Sequence, residues 1–169
     1  MLTREVERSL EGMEPVADTG ARIARAIHRA VLSGGDRTRD VADVLHGTWL
    51  GHPLHPVLTD LTIGAWTFGA VFDAIGAVGD SDAARSAGDR LAAIGTATAV
   101  PTALSGIADY STAQKPAATT ATLHGLINAT ALTLYLVSLR RRRQGRRWHG
   151  LFYSAAALAS TAVSAWLGG

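Results

Sequence analysis

The stretch Gly51 to Val78, GHPLHPVLTDLTIGAWTFGAVFDAIGAV, begins where a polar N-terminal third gives way to a hydrophobic remainder. His52, His55 and Asp60 stand at the start of its apolar run. From Pro56 to Val78 that run is near the roughly 20 residues an α-helix needs to cross a bilayer core. An ionisable side chain inside such a segment is expensive in lipid, so it is expected to face a protein interior or a functional site. Asp60 therefore draws the first functional suspicion.

Three further segments of the same character follow: Arg90 to Ile107, Thr120 to Leu139 and Leu151 to Leu167. The spacing predicts an all-α fold, a four-transmembrane-helix bundle over residues 51–169 with a polar, helical N-terminal extension over residues 1–50. A soluble all-helical domain is the alternative at this length, because the segments are rich in Ala and Thr. Four runs near the crossing length favour the membrane. The chain has no cysteine, which removes disulfides, thiolate metal sites and iron-sulfur ligation. No signal-peptide pattern opens the sequence, so the first apolar segment is expected to act as the first inserted one.

The net charge of +2 hides an asymmetry. Arg140, Arg141, Arg142, Arg143, Arg146 and Arg147 occupy the connection between the third and fourth segments. By the positive-inside rule that connection is cytoplasmic, and counting back places the histidines and both termini on the outer face. The same arginines suit anionic lipid headgroups, and membrane flanks attract basic residues, so they do not indicate nucleic acid.

In the N-terminal third, residues 1–17 read as a charged surface arm ending near Pro15. Residues 19–33 read as an amphipathic helix capped by Thr19, with Ile23, Ile27, Ala30 and Val31 on one face and Arg22, Arg25 and Arg29 on another. That helix suits a membrane surface or a partner protein. Thr38 is the expected cap of the next helix, with Asp40 and Asp43 in its first turn, His46 and Trp49 near its end and Gly51 as its stop. His52 and His55 each precede a proline, which pushes both backbones toward extended geometry and makes Pro56 the expected first helical residue.

Within the bundle, Asp73 lies about 20 Å along the helix from Asp60. Gly64, Gly69 and Gly76 in the first segment, and Gly95, Ala99 and Ala103 in the second, are expected to let helices approach closely. Pro101 is a candidate kink. A polar loop, Ser111 to Ala118, leads to a third helix opening near His124, with Asn128 one turn later on the same side. His149 begins the fourth helix beside Trp148, remote from the other histidines, and the fourth helix reads as packing.

This arrangement gathers His52, His55, Asp60, Asp109, Tyr110, His124 and Asn128 in the outer half of the bundle. Imidazole and carboxylate without thiolate suit zinc, iron, copper or nickel, and two imidazoles from different helices suit a haem iron. His52, His55 and His124 are the candidate cofactor and metal ligands. Asp60 and Asp109 are candidate ligands, orienting groups or proton carriers, with Tyr110, Asn128 and Asp73 as supporting or proton-carrying groups. Caps, dipole partners and interfacial side chains would explain any one of these residues without a ligand.

The run His52-Pro53-Leu54-His55-Pro56 followed by Asp60, the Phe72-Asp73 pair, the Gly106-Ile107-Ala108-Asp109 ending and the His124-Gly125-Leu126-Ile127-Asn128 start resemble a bacterial family of predicted four-helix membrane proteins of unknown function. The resemblance covers about residues 50–169. It implies a multi-pass protein of the bacterial cytoplasmic membrane, and because such modules are sometimes joined to Rieske-type or cytochrome-like domains, it implies a redox neighbourhood.

The reading that follows is a small membrane protein binding haem b or a transition metal in the outer half of its bundle, exchanging electrons with a redox partner or within a larger membrane complex. A cofactor-free scaffold or accessory subunit is the second expectation, and a proton-coupled carrier using Asp60 and Asp73 the third. No nucleophile-base arrangement or phosphate loop is present, which disfavours a stand-alone hydrolytic or nucleotide-dependent enzyme.

Overall fold

Glycine and proline divide the chain into helices. The computed structural model describes residues 14–112 and 117–168, and six α-helices form among them. They are α1 (Glu14–Ser33), α2 (Asp36–His46), α3 (Leu54–Val78), α4 (Asp82–Ser111), α5 (Ala117–Arg143) and α6 (Arg147–Gly168). Three of them, α3, α4 and α5 from Thr119 onward, are long and apolar enough to cross a membrane. The expected surface arm lies outside the described residues up to residue 13, as do residues 113–116 of the expected polar loop.

Several boundaries differ from expectation for local reasons. Pro15 lies in the first turn of α1 rather than ending a helix, a position where its missing N–H deprives the helix of nothing. Gly35 is the N-cap of α2 and Asp36 fills its first turn, so Thr38 is helical instead of capping. Gly47, with φ 82°, ends α2 ahead of Gly51. A Cβ there would strike the His52 carbonyl and the Leu54 N–H, so this tight turn requires glycine. His55 is already helical, because α3 starts at Leu54 and Pro56 falls in its first turn. α4 begins well before Arg90: Ser81 Oγ accepts from Ala84 N at 3.3 Å and Asp82 sits at the positive end of the helix dipole. α5 opens at Ala117, so His124 lies two turns inside it.

α3 packs along α4, and α5 along α6, as two antiparallel hairpins; contact between the hairpins is sparser. Small residues set the first seam. Gly69 lies against Gly88 and Ala92, and the buried stripe on α4 runs Gly88, Ala92, Gly95, Ala99. Ala103 is exposed, and Gly64 has open space where a side chain would stand, so neither serves the packing expected of it. Ser and Thr hydroxyls inside the helices are mostly returned to carbonyls one turn back, as in Thr96 to Ala92 and Thr161 to Ala157. That is how a bundle so rich in hydroxyls keeps a packed interior.

Across the bundle, α3 meets α5 in a constant register. His55 faces His124, Trp66 stacks on Tyr135 with ring centres 4.0 Å apart, and Asp73 pairs with Arg142. Each pair is separated by the same 69 positions. α3 and α5 therefore run parallel, and the two hairpins are related as parallel repeats about an axis along the bundle.

α1 docks at the histidine end against α4 and α5. Its buried face is Gly20, Ala21 and Ala24, while Ile23 is 46% exposed and Ala30 is exposed too. Close approach to two helix ends selects small residues over the bulky face that the periodicity favoured. Tyr110 anchors the contact by donating to the Gly20 carbonyl at 2.7 Å.

Candidate functional site

Two polar layers cross the bundle, one at each end. At the histidine end, His55 Nδ1 lies 2.9 Å from the Thr102 carbonyl, with Ser105 Oγ at 3.4 Å. His124 Nδ1 lies 2.9 Å from the Ser164 carbonyl and 3.0 Å from Ser164 Oγ. A carbonyl oxygen only accepts, so each Nδ1 carries the proton and each Nε2 is left as a base. Each imidazole is thus oriented by the second helix of its own hairpin. The two ring centres are 6.2 Å apart with the planes at 80°. Asn128, one turn further along α5, donates from its amide to His124 Nε2 at 2.8 Å.

The other expected site residues are distributed around this pair. His52 precedes the helix on an extended segment, with Pro53 at ψ 128°, so it does not share the inward face of His55; it stays exposed, its Nδ1 3.1 Å from the Pro53 carbonyl. Asp60 lies on the exposed face of α3 and has no hydrogen bond or ion pair among the described residues. Asp109, one turn beyond Ser105, pairs with His46 at 2.7 Å, a histidine the sequence reading had left aside. Tyr110 accepts from Thr122 at 2.8 Å while holding α1. Among the described residues no three His, Asp or Glu side chains gather as a metal-binding group.

At the arginine end the structure builds a layer that the sequence reading did not foresee. Arg142 holds Asp73 in a two-pronged pair, with NH1 to Oδ1 at 2.8 Å and NH2 to Oδ2 at 2.6 Å, and also reaches Asp89 at 2.7 Å. Arg147 bridges Asp73 at 2.9 Å and Asp89 at 3.0 Å. Ser154 and Ser138 take remaining guanidinium donors. Two carboxylates and two guanidiniums, one from each long helix, balance in charge. Two of the six arginines read as a surface signal thus turn inward. The signal was available: the inward positions of α5 run 124, 128, 131, 135, 138, and the next step of that period is Arg142.

A family model described as predicted membrane protein (DUF2231) matches residues 51–169. The chain belongs to this family. No curated protein and no solved structure matches it. The DUF2231 match takes in both polar layers, and begins just after the 3-10 turn Thr48–Leu50, so that His46 lies outside it while Asp109 lies inside.

Proposed function

We propose that this DUF2231 protein binds a haem iron or a transition-metal ion between His55 and His124 and serves redox chemistry in the membrane. The observation that carries the reading is the imidazole pair itself: equivalent residues of two repeated hairpins, 6.2 Å between centres, each with Nδ1–H held by a carbonyl. Metal-bound histidines use the same carbonyl-held nitrogen to fix their tautomer. With metal–nitrogen bonds of about 2.0–2.1 Å and about 1 Å from each nitrogen to its ring centre, two imidazoles on one ion stand about 5–6 Å apart. In this reading His46 and Asp109 carry protons at the mouth of the site, and a quinone or an external cytochrome is the class of redox partner.

The reading includes a fourth membrane crossing by α6. Its exposed Trp148 and Trp166 lie near its two ends, about 27 Å apart at the helical rise, close to the roughly 30 Å of a bilayer core. Tryptophans favour both interfaces. The arginine end then faces the cytoplasm, with exposed Arg140, Arg143 and Arg146 free for anionic headgroups.

A second reading, a cofactor-free scaffold or accessory subunit, is favoured by the Asn128 amide on His124 Nε2, which satisfies that nitrogen without a ligand. Oxidised and reduced absorption spectra with metal analysis separate the two, on protein purified in mild detergent from cells supplied with iron and haem. Stoichiometric haem or metal, lost in His55→Ala and in His124→Ala with the helical content kept, is the expected result. A colourless, metal-free and well-folded wild-type protein sinks the first reading in favour of the second.

A further inference from the structure

α3 touches α6 only sparsely. Between them lies a groove of about 190 Å³, walled by Ala70, Ala74 and Ala77 of α3 and by Leu151 and Ala155 of α6. Asp73 and Ser154 also border it, but both are engaged by Arg142, so the groove offers mainly methyl groups. Ala70 to Ala77 covers about 10 Å at the helical rise. Ala77 is in the last turn of α3 and Leu151 in the second turn of α6, so the groove ends at the arginine end of the bundle. Its volume is well below the roughly 300–1,000 Å³ of sites that enclose whole small molecules. One hydrocarbon chain fits it.

The mouth is cationic. Arg146 stands exposed directly ahead of α6, and exposed Arg140 and Arg143 share that end. Asp80 and Asp82 of the adjoining turn share Arg85, which leaves the end with a surplus of positive charge. The first N–H groups of a helix have no intrahelical partner, and such an end favours phosphate. Trp148, 73% exposed, lies one turn before Leu151 on the same side of α6, where an interfacial ring flanks a headgroup.

We infer that the α3–α6 groove is a binding site for one anionic phospholipid of the cytoplasmic leaflet, its acyl chain along the alanines and its phosphate at Arg146 and the start of α6. Basic pockets between membrane helices on the cytoplasmic side hold anionic headgroups in this way. The inference rests on the crossing by α6 with the arginine end in the cytoplasm, and is independent of what the imidazoles bind. A second copy inserted the same way round would bring its own arginines to the same depth, where like charges repel.

The test uses the full chain in nanodiscs with traces of phosphatidylglycerol or phosphatidylcholine carrying a diazirine on one acyl chain, and maps the photo-cross-links by mass spectrometry. Phosphatidylglycerol is expected to label Ala74, Ala77, Leu151 and Ala155 in preference to phosphatidylcholine, and Arg146→Gln should lower that preference about fivefold, the value of one arginine near a membrane surface. Ala155→Leu, which fills the groove from an exposed position, should lose most of the groove labelling while melting as the wild type does. Groove labelling that both variants leave unchanged overturns the site. So does labelling spread evenly to the outer faces at Phe68 and Phe152 without preference between the lipids, which leaves the crossing by α6 intact. Cross-links on α3 with none on α6 remove the crossing and the groove together. Disulfide-linked dimers of Ala74→Cys, with no lipid labelling in the groove, assign it to a second copy instead.

Discussion

The Arg142 side chain is 3% exposed and Asp73 9%, so this ion pair is enclosed by protein on nearly every side. Taking two charges out of water is costly, and only close geometry with full hydrogen bonding compensates. Both conditions hold here, since the pair is two-pronged and Ser154, Ser138 and Asp89 complete the guanidinium's partners. Removing Asp73 leaves two guanidiniums to share the single carboxylate of Asp89, with one buried charge uncompensated. Asp73→Ala is expected to destabilise the folded protein by about 3–5 kcal/mol, visible as an early melting transition in detergent. Asp89, 41% exposed, reaches solvent at the same layer, so Asp89→Ala should lower the transition much less. Equal losses at the two positions would refute the idea that burial sets the difference. The two histidines follow a related logic, because a carbonyl from the neighbouring helix decides which nitrogen carries the proton.

Between elements, glycine decides how near two helices come. A Cβ on Gly88 would stand 2.5 Å from Asp73 Oδ1 and 3.1 Å from the Gly69 carbonyl, so this crossing leaves no room for a side chain. Gly150 plays the equivalent part in the second hairpin, beneath the Arg142 side chain. Gly88→Leu is therefore expected to force α3 from α4 and disturb the ionic layer, at about 1–3 kcal/mol for overpacking alone. Gly64 meets nothing within 4 Å; Gly64→Ala should be neutral or stabilising by up to about 1 kcal/mol through helix propensity. Thermal melts of the two variants side by side check the contrast, and a Gly64→Ala loss as large as that of Gly88→Leu would contradict the packing described. The docked face of α1 obeys the same rule, with Gly20, Ala21 and Ala24 inward and Ile23 outward.

For the whole molecule, parallel hairpins put a histidine pair, an aromatic pair and an ionic pair in successive layers along one axis. The proposed orientation, with the arginine end facing the cytoplasm, predicts that Gln144→Cys is labelled by a membrane-impermeant maleimide only after the cytoplasmic side is opened, and Ser33→Cys from the intact outer side. The native chain has no cysteine to confuse the readout. The opposite pattern would invert the orientation. Length and apolarity by themselves determined an all-helical chain with segments fit for a membrane, because crossing length and backbone satisfaction in lipid depend on local composition. The His124–Asn128 turn was legible for the same reason, since helical period places residues four apart on one side. Helix ends were less legible at Asp82 and Ala117, where polar residues extend helices beyond their apolar runs. Which residues meet across the bundle was decided only by tertiary structure. The separation of His52 from His55, the pairing of His46 with Asp109 and the inward turn of Arg142 and Arg147 depend on helix rotation and register. Those are fixed by close packing of small residues and by mutual neutralisation of charges far apart in the chain, neither of which a local pattern records.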